Sequence, residues 1–251
     1  MMPNSTVNQM LVSVNSPEEF GIALRAGVPW IDFKNPLAGA LGRPNVECLE
    51  QVSSRICDLR NEDRFQWSIA GGELLEWSLP NDFSEEDRSS LDILADRGAI
   101  KWGLGHCAKV TDWKDRFCKL KAVLPRAEQA ILAFYADYHR VDAPGWEEVF
   151  SAIQEFGLKR ILIDTAVKDG KSLLEHLTVE SLGEKITQTQ ASGVQIAIAG
   201  SLRMKDLPQV IRLGADWIGF RGALCRDNTD RSSPIDAQLV QSVQAFLETT
   251  T

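Results

Sequence analysis

Short apolar, β-branched runs alternate along the chain with longer segments whose apolar residues recur at helical spacing. The first run, residues 10–14 (MLVSV), is followed by NSPEEFGIALRAG. There Ser16 has the side chain of an N-cap, Pro17 takes the first helical position and Gly27 closes the helix. The second run, 30–35, precedes NVECLEQVSSRICDLRN, again with helical spacing, and 65–70 (FQWSIA) leads to a polar-faced helix over 83–97 that ends at Gly98. The alternation continues with 100–104 (IKWGL) before a helix over 113–124, and with 129–135 (QAILAFY) before one over 146–156 that ends at Gly157. Residues 160–165 (RILIDT) precede a helix over 179–191, 195–199 (QIAIA) one over 204–213, and 217–221 (WIGFR) one over 235–247.

Eight strand-then-helix units force parallel strands, and that count in a chain of this length predicts a single α/β domain over residues 1–251, a closed (β/α)8 TIM barrel. An open, doubly wound sheet is the competing architecture. Its first turn would carry G-x-G-x-x-G, which MLVSVNSPEEF lacks.

Composition narrows the partners. With 27 basic and 35 acidic residues the formal charge is −8, which argues against nucleic acid or an anionic membrane as the main partner. A small phosphorylated substrate needs only a local positive pocket and stays open. The five cysteines (Cys48, Cys57, Cys107, Cys118, Cys225) are scattered, with no C-x-x-C pair, and read as reduced thiols. His106, His139 and His176 stand at no metal-ligand spacing, so neither a metal nor an organic cofactor is expected. The N-terminus MMPNSTVNQM lacks the regions of a signal peptide and no apolar run is long enough to cross a bilayer, so the expected location is cytoplasmic. A homo-oligomer is left open.

The exceptional residues fall where strands end, the place where such barrels carry their chemistry. In IDFKNP, alternation puts Asp32 and Lys34 on one face and Ile31 and Phe33 on the other. Two buried opposite charges are costly unless they pair or do chemistry. A structural ion pair between Asp32 and Lys34 is therefore one reading and a reactive pair the other. Lys101 lies in the fourth run; Tyr135, Asp137 and Tyr138 follow the fifth; Asp164 ends the sixth and Lys168 lies just beyond. After the seventh and eighth runs, Gly200–Ser201 and Gly222–Ala223 offer backbone amides of the kind that cradle phosphate. Each feature alone has a bland reading as rim packing, a snorkelling lysine or turn punctuation. Three lysines and two aspartates at equivalent strand ends are harder to explain as packing. His106, Cys107 and Cys225 sit near loop mouths with no partner that marks a nucleophile.

The segments LVSV…IDFKNPLAGALG, IKWGL, YADYHR, IDTAVKDGKSLLEHL, IAGSL and GFRGALC together resemble the (5-formylfuran-3-yl)methyl phosphate synthases of methanofuran biosynthesis, in the same order from near residue 11 to near residue 225. The resemblance implies a barrel lyase that condenses two molecules of glyceraldehyde 3-phosphate into a phosphorylated furan aldehyde, losing phosphate and water. It assigns the Schiff-base lysine to Lys34 and places Asp32, Lys101, Asp164 and Lys168 in the catalytic set. Asp32 would orient the amine, Asp164 act as general acid or base, and Lys101 and Lys168 lower the Lys34 pKa and neutralise substrate phosphates. Tyr135 and Asp137 are secondary candidates, and Lys34 and Lys168 could exchange roles. The chain departs from the family pattern at Gly39-Ala40-Leu41-Gly42, in GHCAKVTDW and over 71–82. A class I aldolase or sugar-phosphate isomerase is the rival reading.

Overall fold

A computed structural model describes residues 8–59, 65–94 and 98–249. Eight strands form one closed, wholly parallel ring in chain order, with the eighth pairing back onto the first. They are β1 (Gln9–Val14), β2 (Trp30–Phe33), β3 (Gln66–Glu73), β4 (Ala99–Gly103), β5 (Ala130–Tyr135), β6 (Arg160–Asp164), β7 (Gln195–Ile198) and β8 (Trp217–Phe220). The helices between and after them are α1 (Pro17–Arg25), α2 (Val46–Asp58), α3 (Glu85–Asp92), α4 (Trp113–Lys121), α5 (Trp146–Glu155), α6 (Val179–Ala191), α7 (Leu207–Val210) and α8 (Ala237–Thr249). The chain is a (β/α)8 barrel, as the alternation predicts. Ser16 caps α1 by accepting from the Glu19 N–H at 3.2 Å, with Pro17 in the first turn and Gly27 at φ +72° behind it.

Three elements depart most from their expected extents. β3 runs on to Glu73, because Gly72 takes φ +73° and the pairing with β4 shifts register between Ala70 and Glu73, a bulge that carries the strand past two glycines. α3 starts after Phe83, with Ser84 as its cap, and stops at Asp92; the expected helical residues 95–97, like 60–61 beyond α2, lie outside the described residues. The segment 204–213 holds one α-turn between two 3-10 turns, Met204–Asp206 and Ile211–Leu213.

The pleat divides the core in two. Outward residues such as Val12, Phe33, Ile69, Trp102, Phe134 and Ile198 pack under the helices. Inward residues are smaller: Ala70, Ala99, Ala133 and Ala197 line the ring with Leu11, Ile131 and Leu162. The bottom is closed by Trp30 and Trp217, which meet edge-on with ring centroids 4.9 Å apart. The small side chains above them leave the top of the ring free for polar groups. Among the described residues no helix is long and apolar enough to cross a membrane.

Candidate active site

Lys34 directly follows β2, its backbone N–H still donating to the Val14 carbonyl at 2.9 Å, and only 5% of the residue is exposed. The turn after it is held by the Asn35 side chain, which accepts from the Leu37 N–H at 3.0 Å, and by the Asn35 N–H, which donates to the Gly42 carbonyl at 2.9 Å. That fold brings the Ala40 carbonyl back to the Lys34 amine, which donates to it at 3.3 Å. No ion pair joins Lys34 to any described carboxylate. Burial lowers the amine's pKa to about 7; Asp164 opposes the shift, Arg231 and Lys168 reinforce it and Asp32 opposes it more weakly.

Asp32 is not the partner of Lys34. It points into the ring one layer deeper, level with Ser13 and Ser68 on the neighbouring strands, and pairs with Lys101 at 2.7 Å. Its carboxylate also accepts from the Ser13 hydroxyl at 3.1 Å and the Ser68 hydroxyl at 2.7 Å, and Ser68 in turn accepts from the Trp30 indole N–H at 3.0 Å. Of the two readings of Asp32 and Lys34, the structural ion pair therefore fails on geometry. Two residues along a strand are a whole layer apart, and Lys101 reaches the deeper layer. The charge of Lys101 is met by Asp32, and Arg231 takes the place expected of Lys101 beside Lys34.

Asp164 and Lys168 form the second pair. Their side chains meet at 2.7 Å, the Lys168 amine also donates to the Thr165 hydroxyl at 3.1 Å, and the Thr165 N–H donates to Asp164 at 2.7 Å. Burial works to raise the Asp164 pKa, but the charges of Lys168 and Lys34 with these hydrogen bonds outweigh it and hold the carboxyl below its usual range. Burial pulls the Lys168 pKa down against the pull of Asp164.

Lys34, Lys101, Asp164, Lys168 and Arg231 line one pocket together with residues 199–202 and 219–222. Gly200 takes φ +112° and Ser201 φ +51°, a left-handed conformation rare for a residue with a side chain. The backbone N–H groups of Gly200, Ser201 and Leu202 donate to no acceptor among the described residues. Successive free amides at such a turn form an anion-binding concavity. Gly222 shares this wall, whereas Ala223 faces a larger adjoining cavity.

Tyr135 and Asp137 stand back from the pocket. The Tyr135 hydroxyl donates to Glu73 at 2.6 Å. The fully buried Asp137 carboxylate accepts from the N–H groups of Ala166 and Val167 at 2.7 and 3.0 Å, so it braces the loop in front of Lys168.

Two residues escaped the sequence reading. Glu73 accepts from the Tyr135 hydroxyl and, at 2.6 Å, from the Gly105 N–H, and burial raises its pKa against both hydrogen bonds. It lies in the segment 71–82, whose two glycines hide the continuing strand. Arg231 sits in the polar run RDNTDRSSP, which reads as a solvated loop. The hint was Arg221 nearby. Its buried guanidinium pairs with Glu19 and donates to the carbonyls of Ser13, Arg231 and Ser233 at 3.2, 3.1 and 3.3 Å, which pins the loop against the ring and brings Arg231 to the mouth.

Comparison with known proteins agrees with this picture over nearly the whole chain. Residues 10–244 match the family model for 4-HFC-P synthase. The chain is 38% identical over 250 residues to the (5-formylfuran-3-yl)methyl phosphate synthase of Methanopyrus kandleri, covering 95% of this chain and 98% of that protein. It is 34% identical over 252 residues to a Methanococcus maripaludis protein of the same name, with 93% and 97% covered. Among solved structures, thiamine phosphate pyrophosphorylase from Pyrococcus furiosus superposes with a TM-score of 0.59 at 10% identity over 98% of this chain and 97% of that one, a likeness of fold.

Proposed function

The chain belongs to the 4-HFC-P synthase family, and on that footing we propose that it condenses two molecules of glyceraldehyde 3-phosphate into (5-formylfuran-3-yl)methyl phosphate through a Schiff base on Lys34. The atoms balance with loss of one phosphate and two waters. The observation that carries this reading is the state of the Lys34 amine, which is buried, in no ion pair with a described residue and lowered to about pKa 7. An amine attacks a carbonyl only when unprotonated, and an ordinary lysine near pKa 10.4 is almost wholly protonated at neutral pH. The other two lysines of the pocket are each held on a carboxylate at 2.7 Å, which makes them poorer nucleophiles and better counter-charges.

The steps follow from that division. The Lys34 nitrogen adds to the aldehyde carbon of one triose, and the carbonyl oxygen leaves as water. The resulting iminium acidifies the adjacent carbon, whose proton passes to the Asp164–Lys168 pair. The enamine so formed has two outlets. It can break the carbon–oxygen bond to phosphate on the third carbon, or form a carbon–carbon bond to the aldehyde of the second triose. The product requires each once per turnover. The free amides of 200–202 would hold a phosphate group, with Lys168 beside them.

The test is incubation with glyceraldehyde 3-phosphate alone, followed by mass spectrometry of the product and of borohydride-treated protein. A furan product and a reduced adduct on Lys34, absent in Lys34→Arg, are expected. Interconversion of trioses without a furan chromophore would favour the isomerase reading, and an adduct that persists in Lys34→Arg would refute the assignment of the nucleophile.

A further inference from the structure

Two phosphate monoesters at one barrel mouth repel each other, so a single cradle cannot serve both. The inner pocket shares Lys168, Ser201, Leu202, Gly222 and Arg231 with a larger, open cavity lined by the loops that follow β6, β7 and β8. The basic residues on the wall of that outer cavity are Lys168, Arg203, Lys205 and Arg231, and it has no acidic side chain. Two of the four are already committed, Lys168 to Asp164 at 2.7 Å and Arg203 to Glu175 at 2.7 Å. Arg231 and Lys205 form no ion pair with any described residue.

Arg231 stands on the wall common to both cavities. Its own carbonyl accepts from the Arg221 guanidinium at 3.1 Å, so the backbone that carries it is anchored, while its side chain donates no hydrogen bond among the described residues. The charge of Asp164 acts on this half-buried guanidinium from beyond ion-pair distance, so its fork stays without a close partner, and a bidentate phosphate is the ligand that suits it. Asn228 and Thr229 supply neutral polar groups on the same wall.

We propose that the outer cavity is a second phosphate-monoester site, with Arg231 and Lys205 as its charged contacts, which holds the second triose phosphate while the first is bound at Lys34. The identity of that ligand rests on the function proposed above. The existence of the site does not.

The experiment uses the full chain and glycerol 3-phosphate, which has no carbonyl to react. Calorimetric titration is expected to find two sites per chain, and Lys205→Glu to remove one of them. Lys205 is an exposed residue, so the substitution leaves the barrel intact. In the same variant, borohydride trapping of glyceraldehyde 3-phosphate on Lys34 stays as in the unmodified protein, while the KM for furan formation rises on the order of tenfold. Arg231→Met is expected to lose the second site as well, and because its charge also acts on Lys34 the trapping control is read in Lys205→Glu alone; Arg231→Lys restores part of the lost binding. A single site per chain, unchanged KM in Lys205→Glu, or joint loss of trapping and furan formation in that variant would each overturn the proposal. So would a second site that takes inorganic phosphate but not glycerol 3-phosphate, which would mark it as an exit for the expelled group. If the unmodified protein shows no trapping at all, the Schiff-base reading fails, and the count of glycerol 3-phosphate sites still decides this one.

Discussion

Replacing Lys34 with methionine should make the protein more stable at neutral pH while abolishing its activity. The side chain stays unbranched and loses one heavy atom, and what disappears is the tendency of a buried amine to take up a proton. In the unfolded chain that amine titrates near 10.4; in the folded protein burial brings it to about 7. Between these values the unfolded chain binds more protons, so this lysine costs stability. The penalty is full below the folded pKa, shrinks as pH rises from about 7, and vanishes above about 10.5. Integrated over the shift, it is about 4 kcal/mol at pH 7 and about 2 kcal/mol at pH 9. The methionine leaves the Ala40 carbonyl without its 3.3 Å hydrogen bond, which offsets about 1 kcal/mol at every pH. The net expected gain is about 3 kcal/mol at pH 7 and about 1 kcal/mol at pH 9. Urea denaturation of both proteins at pH 6, 7.5 and 9 checks it. A difference between the two that does not change with pH would show that Lys34 has an ordinary pKa in the folded state, and the argument for its nucleophilicity would go with it.

Three further outcomes follow. Asp32→Asn or Lys101→Met alone leaves a buried charge unmatched and should cost about 3–5 kcal/mol in chemical denaturation, whereas the double variant should lose much less than the sum; additive losses would show that the pair is not coupled. Gly103→Ala sets a methyl group against the Tyr135 hydroxyl and the Glu73 carboxylate, so a loss of about 1–3 kcal/mol is expected in thermal melts, part of it recovered by adding Glu73→Ala. Borohydride trapping on Lys34 should follow the unprotonated fraction of the amine, rising with pH to a plateau just above its pKa near 7; a rise delayed to pH 10 would contradict the burial argument.

The sequence alone determined the architecture and singled out five charged residues at its strand ends, Asp32, Lys34, Lys101, Asp164 and Lys168. Eight alternations of period-two and helical pattern leave few choices besides a closed parallel ring, and strand pleating dictates that Asp32, Lys34 and Lys101 face its interior. The helix ends marked by Ser16, Gly27 and Gly157 were legible because capping is a local matter of a side chain and its next few residues. Which charge meets which was not legible. Pairing across a barrel depends on the stagger between strands and on how far a lysine reaches, and neither is written in the spacing of one strand. Spacing alone left a pairing of Asp32 with Lys34 open, and Asp32 is held instead by Lys101. Glu73 was hidden because its strand continues through a bulge at Gly72, where the period breaks. Arg231 was hidden because a loop residue becomes part of a pocket only when a distant ion pair, Arg221 with Glu19, draws the loop onto the ring. Local physics named the parts; closure of the ring decided which amine was left outside the ion pairs.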